Sequence, residues 1–245
     1  MTSTPMNTPI RAIAAAALFT LAATVPAVAQ TTAGADRPLF VDISAGIGGK
    51  PSALTAATTF TIFGEDGSAA TQVAPGVSAL ADVRVGYHVT PRVAVAAAIS
   101  GSQSSATAAA TASVPDPIRF SSPTIISLAA PDATRRELGV HLQAVFTLPL
   151  TDSAVITVAG GPSIVHLQQG LPSVAISGTT PTVVAVNESG NGFGGNVGAD
   201  LSTFFSERYG LGVFVRYVVA SVDLPSASGV KAGGVQAGAG LRLRF

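Results

Sequence analysis

Three histidines, His88, His141 and His166, are the side chains best suited by type to acid–base, nucleophilic or metal chemistry. Their spacing supports none of these. No two stand at i and i+4, and the chain has no cysteine, so the usual metal-ligand patterns are missing. Ser163 precedes His166 by three residues, but no third group completes a set of nucleophile, base and orienting partner. Gly190-Asn191-Gly192-Phe193-Gly194-Gly195 has the letters of a dinucleotide fingerprint. That motif must open a helix, and here it opens an alternating segment, so the glycines read as places where neighbouring strands pack closely. Asn187-Glu188-Ser189 indicates only an exposed loop. No catalytic, cofactor-binding or metal-binding residue is expected. The charged residues instead suggest pairing. Asp42, Asp82, Glu137 and Asp200, with Arg84, Arg216, Arg242 and Arg244, all fall on the polar side of alternating segments. An unpaired buried charge is expensive, so four acids and four bases on one set of faces predict an interior ion-pair network.

The segments that carry these charges alternate with period two, the signature of half-buried strands. They run Leu39–Gly48, Ala79–Val89, Val93–Gly101, Arg136–Leu148, Ala154–Gln168, Gly192–Phe205, Tyr209–Val222 and Gly234–Phe245. Only Ala154–Gln168 alternates poorly, with apolar residues on both faces. Thr90-Pro91, Pro149 to Asp152 and Ser206 to Arg208 are short turns; 49–78, 102–135, 169–191 and 223–233 are the longer connections. Residues 102–114 are almost all small and read as flexible. Thr58 to Phe63 followed by Gly64-Glu65-Asp66-Gly67 reads as a strand and turn, which either extends a hairpin above the main body or raises the strand count to ten. Eight leaves the alternation of short and long connections intact. Tyr87, Phe146, Phe205, Tyr209 and Phe245 lie on the apolar faces beside the short turns or at the C-terminus, with Phe193 a weak counterpart at the other end. A girdle of aromatics at one height marks a membrane interface.

Composition agrees. Only 11% of residues are charged, and 13 basic residues balance 13 acidic ones, against about 25% charged in ordinary soluble proteins. The balance argues against a nucleic-acid partner. No apolar run after the first thirty residues reaches the roughly 20 residues of a membrane helix. In lipid that leaves a closed barrel, in which every backbone group is paired. Arg11, the apolar stretch Ile13 to Val25 and Ala27-Val28-Ala29 predict a signal peptide over residues 1–29, cleaved between Ala29 and Gln30. A short segment, 30–37, would then lead into a barrel over 38–245. The fold class expected is all-β: an eight-stranded antiparallel up-and-down transmembrane barrel with both mature termini in the periplasm.

Gly86-Tyr87 with Thr90-Pro91, Ala159-Gly160-Gly161-Pro162 and the C-terminal Gly240-Leu241-Arg242-Leu243-Arg244-Phe245 together resemble the outer-membrane β-barrel domain family, the group of OmpA-type transmembrane domains and OmpX-like small barrels. The resemblance implies that Gly240, Leu243 and Phe245 form an assembly signal read by the barrel-assembly machinery. Gly238 departs from that pattern, which usually has a polar residue there. In length the OmpX-like barrels are the nearer comparison, with no peptidoglycan-binding domain expected. The implied partners are outer-membrane lipids including lipopolysaccharide, and the assembly machinery and periplasmic chaperones during biogenesis. The expected role is non-enzymatic: a structural or surface-interaction barrel in the outer membrane, with its lumen plugged by charged side chains and long loops outside. The alternatives are a lipid A deacylase or acyltransferase, and a narrow channel for small solutes.

Overall fold

The computed structural model describes residues 38–51, 53–119, 122–129, 133–177 and 180–245. The expected signal peptide with its Ala29–Gln30 junction, and the segment up to residue 37, lie outside the described residues. Eleven strands follow in chain order: β1 (Leu39–Gly48), β2 (Leu54–Ile62), β3 (Glu65–Pro75), β4 (Ser78–His88), β5 (Val93–Val114), β6 (Thr124–Ala129), β7 (Ala133–Pro149), β8 (Ala154–Ser177), β9 (Thr180–Phe204), β10 (Tyr209–Leu224) and β11 (Ala227–Arg244).

Eight of these form a closed antiparallel ring. β1 pairs β4, β4 pairs β5, β5 pairs β7, and the ladder continues through β8, β9, β10 and β11 back to β1. The ring is an eight-stranded barrel of the outer-membrane type. β2 and β3 form a hairpin that joins the outer half of β5, where Ser68 to Pro75 pair with Ser113 to Ala106. β6 also pairs with that half of β5. The hairpin expected around residues 58–67 therefore extends the wall and does not add strands to the ring.

The three short turns share one local device. Thr90 Oγ1 accepts the Val93 N–H, Thr151 Oγ1 accepts the Ala154 N–H, and Ser206 Oγ accepts the Tyr209 N–H, each at 3.0 Å. A hydroxyl at the first turn residue thus stands in for a backbone acceptor. At this end the side-chain phase is the one the sequence predicts. Ile43, Val85, Tyr87, Val95, Leu142, Phe146, Leu201, Tyr209, Leu211, Val213 and Leu241 point outward and are exposed, while Asp42, Asp82, Asp200, Arg216 and Arg242 point inward and are buried. The aromatics of the proposed girdle are all exposed on the outer wall. An apolar exterior around a polar interior is the transmembrane arrangement.

The longer connections are mostly strand. Residues 102–114 belong to β5, and 169–177 and 183–191 belong to the β8–β9 hairpin, paired out to Ser177 opposite Thr180. β10 and β11 are paired out to Leu224 opposite Ala227. Sequence periodicity treats these stretches as loops because their facing rule inverts. On the lower part of β8, Val158 and Ile164 face outward; higher up, Val165, Leu167 and Leu171 are buried inside. On β10, Val219 is exposed and Ser221 and Asp223 take over the outer face, while Val218, Ala220, Val222 and Leu224 are buried within. The outer face also changes from Leu138 to Arg136 on β7, and from Phe193 to Asn191 on β9. Above that ring the wall obeys the water-soluble rule, with apolar side chains inside.

Val215 is 57% exposed at mid-strand on the outer wall. Val215→Arg is expected to destabilise the barrel by about 2–4 kcal/mol, read from urea unfolding in lipid vesicles.

Candidate functional site

Among the described residues, the chemistry-bearing side chains converge in the lumen. Its lowest layer is apolar: Phe40, Ala94, Ala96, Val145 and Ala159 pack together. The Arg244 guanidinium lies 3.4 Å from the centre of the Phe204 ring, a cation–π arrangement.

Above this lies a chain of alternating charge. Register places Asp42 directly opposite Arg84 on one side and Arg242 on the other. Arg84 Nε donates to Asp42 Oδ2 at 2.7 Å, and Arg242 Nε lies 3.7 Å from Asp42 Oδ1. Arg242 also donates to Ser44 Oγ at 3.0 Å and forms an ion pair with Asp200, which accepts the Ser202 hydroxyl. To reach Asp200 on β9, Arg242 on β11 must cross β10. It does so over Gly212, where an added Cβ would stand 2.7 Å from Arg242 Nε. A second pair spans the lumen: Arg216 Nη1 donates to Asp82 Oδ2 at 2.9 Å, while its Nε and Nη2 donate to Gln236 Oε1 at 3.0 and 2.8 Å. Asp200 is thus paired with Arg242, and Arg216 with Asp82.

A third cluster forms where β7 leaves the charged layer, and it contains a residue the sequence reading assigned to a loop. Arg135 Nε donates to Glu137 Oε1 and Nη1 to Gln169 Oε1, both at 2.7 Å. Arg135 Nη2 reaches across to the Lys231 carbonyl at 2.7 Å, and Glu137 Oε2 accepts the Gly233 N–H at 2.9 Å. Lys231 and Gly233 lie on β11 beyond the stretch that β1 pairs. The two side chains therefore cap a strand edge that no strand pairs among the described residues. Arg135 is two residues before Glu137, hence on the same face, and that spacing was the available signal. With Arg135 counted, these interior pairs comprise four acids and four arginines.

His141 lies inside the lumen and His166 at a partly exposed position. Ser163 meets His141, not His166: His141 Nδ1 lies 2.8 Å from Ser163 Oγ and its Nε2 lies 2.9 Å from Ser100 Oγ. Asn196 donates to Ser163 Oγ at 2.9 Å and accepts from Gln143 Nε2 at 2.6 Å. His166 Nδ1 pairs with Asn191 Oδ1 at 2.8 Å. Both nitrogens of His141 are engaged by hydroxyls, so no carboxylate orients the ring. His141 and Ser163 are 1% and 2% exposed. The fingerprint-like glycines do allow close strand approach: side chains at Gly190, Gly192 and Gly194 would strike the backbone of β10.

Over the polar layers sits a larger apolar cluster, Val73, Ala106, Ala133, Val165, Leu167, Leu171, Val218, Ala220, Val222, Leu224, Val230 and Ala232. It draws on β3, β5, β7, β8, β10 and β11. Two cavities among the charged side chains, of about 30 and 40 Å³, have room for a few water molecules.

No family model matches the chain, and no curated protein matches it. Solved structures are similar in fold. The outer membrane protein OprG of Pseudomonas aeruginosa matches 86% of this chain and 98% of its own at 13% identity, TM-score 0.47. The outer membrane protease OmpT of Escherichia coli matches 88% and 99% at 9% identity, TM-score 0.42. Neisserial surface protein A (NspA) matches 84% and 97% at 13% identity, TM-score 0.40. Likeness at this level carries nothing about activity.

Arg216→Leu leaves Asp82 buried without its cation. The expected cost is about 3–5 kcal/mol in urea unfolding, and most of it should be recovered when Asp82→Asn is added.

Proposed function

We propose that the protein is a non-enzymatic outer-membrane barrel with a structural or surface-interaction role, its lumen closed and its outer wall presented to the exterior. The observation that carries this reading is the stacking of two unlike obstructions in one lumen: buried ion pairs below, and an apolar cluster above. A narrow channel would need a continuous wet path, and the ion pairs and the apolar cluster lie across that path one above the other. The outer-wall belt is solvated by membrane lipid, lipopolysaccharide included on the outer side. During biogenesis the chain uses periplasmic chaperones and the barrel-assembly machinery, with Gly240, Leu243 and Phe245 as the recognised ending.

A lipid-modifying enzyme has one observation in its favour, the hydrogen bond between Ser163 and His141. The pair is sealed inside the wall and lacks an acid, so an acyl chain in the membrane has no route to the hydroxyl. Nucleophilic catalysis needs both the orienting group and access.

In planar bilayers the purified barrel is expected to give no stable wide openings; persistent porin-like conductance would refute the closed lumen. Deletion of Phe245 is expected to lower the amount of heat-modifiable barrel in the outer membrane several-fold. Normal levels of the truncated chain would remove Phe245 from the assembly signal.

A further inference from the structure

The outer extension ends in two strand edges that are treated very differently. The upper edge of β11 is capped by Arg135 and Glu137. β2 is bonded to β3 on one side, and among the described residues no strand pairs its other side. Open edges are normally blunted by charge, proline or a bulge. β2 has none of these: Leu54 to Ile62 contains no charged residue and no proline, and its register with β3 runs without a shift. Thr55, Ala57, Thr58, Thr59 and Thr61 are exposed. Such an edge is a template for strand addition.

The sequence of β2 says what would add to it. Laid antiparallel against itself about Thr58, it sets Leu54 opposite Ile62, Thr55 opposite Thr61, Ala57 opposite Thr59, and Thr58 opposite Thr58. Apolar ends meet apolar ends, and the centre is threonine against small or like residues, a favourable cross-strand combination. Charge agrees as well. Lys50 precedes the strand, while Glu65 and Asp66 lie at the hairpin tip. Antiparallel pairing brings the start of one strand to the tip of the other, so the cation of each copy approaches the two acids of its mate. The edge matches a second copy of itself.

Direction follows from topology. β5 continues the barrel wall outward from Val93 to Val114, and β3 and β2 are successive antiparallel additions to it. The two-fold axis relating antiparallel neighbours is perpendicular to their sheet. Here the sheet continues the barrel wall, so the rotation reverses the outward direction. We propose that the free edge of β2 pairs antiparallel, about Thr58, with β2 of a second copy held in a facing membrane. This rests on the surface-interaction reading and names its partner. The closed lumen is tested separately by conductance, so either can fail without the other.

The chain has no cysteine, so introduced thiols report register directly. Two batches of lipid vesicles are prepared, one carrying the full barrel with Thr55→Cys and the other with Thr61→Cys, then mixed and treated with a short thiol-to-thiol linker. The expected result is a cross-linked dimer formed between batches, with vesicle clustering seen by light scattering. Thr58→Cys should cross-link alone, and Thr55→Cys alone should not. Thr58→Lys places two like charges at the two-fold and should abolish clustering while heat-modifiable migration is retained. Cross-linking by Thr55→Cys alone as efficient as by the mixed pair, or dimers formed only when both variants share one vesicle, would overturn the proposal.

Discussion

Closure of the hydrogen-bond ladder between the first and last strands is the condition on which everything else rests. Lipid offers no partner to a free N–H or C=O, so the membrane part is viable only as a ring. β1 and β11 meet over nine residue pairs, from Phe40 opposite Arg244 to Gly48 opposite Gln236. Beyond them the Phe245 N–H still donates to the Leu39 carbonyl at 2.8 Å. The same seam brings Asp42 between Arg84 and Arg242. The interior charge chain is thus a by-product of where the ring closes: register that satisfies the backbone also sets opposite charges side by side. Such pairs need not add net stability, since desolvation offsets their attraction. They make wrong registers costly, because a slip of one residue would turn the charges toward lipid.

Two solvents act on one continuous wall. In the lower part, apolar side chains face out, and above a small apolar floor the interior is filled by ions and amides. In the upper part, apolar side chains face in and make a core of the ordinary soluble kind. The changeover occurs within single strands. β10 carries Val219 outward and Val218 inward at the same height. Interior polarity is therefore a matter of what surrounds the wall, since each section buries the face its surroundings will not solvate.

This explains what could be read from the sequence. The strands of the lower section, their phase, the aromatic girdle and the eight-fold ring follow from a period-two pattern that lipid imposes on the outer face. The upper section was misread as loops because the pattern there is inverted or diluted. Thr134-Arg135-Arg136-Glu137 puts polar residues on both faces, which hid Arg135 and its cap on β11. Ala-, Ser- and Thr-rich 102–114 has small residues on both faces and lacks contrast, although β3 and β6 pair with it. Ala154–Gln168 straddles the changeover, so apolar residues on both faces were the true pattern. The partners of individual charges were not legible, because Arg242 reaches past its neighbour strand over Gly212, and sequence adjacency does not encode that reach.

The inversion also fixes a waterline. If the barrel rose by two residues, Val219 and Phe193 would be lifted into water; if it sank by two, Ser221, Asp223 and Arg136 would be dragged into hydrocarbon. The outer faces of β7, β9 and β10 oppose the movement in either direction, so the barrel resists rising or sinking when bilayer thickness changes. Adjustment falls to the lipid, which must thin or thicken around it. A barrel marked in this way is sorted by membrane thickness as well as held by it, gathering where the surrounding lipid already meets its line.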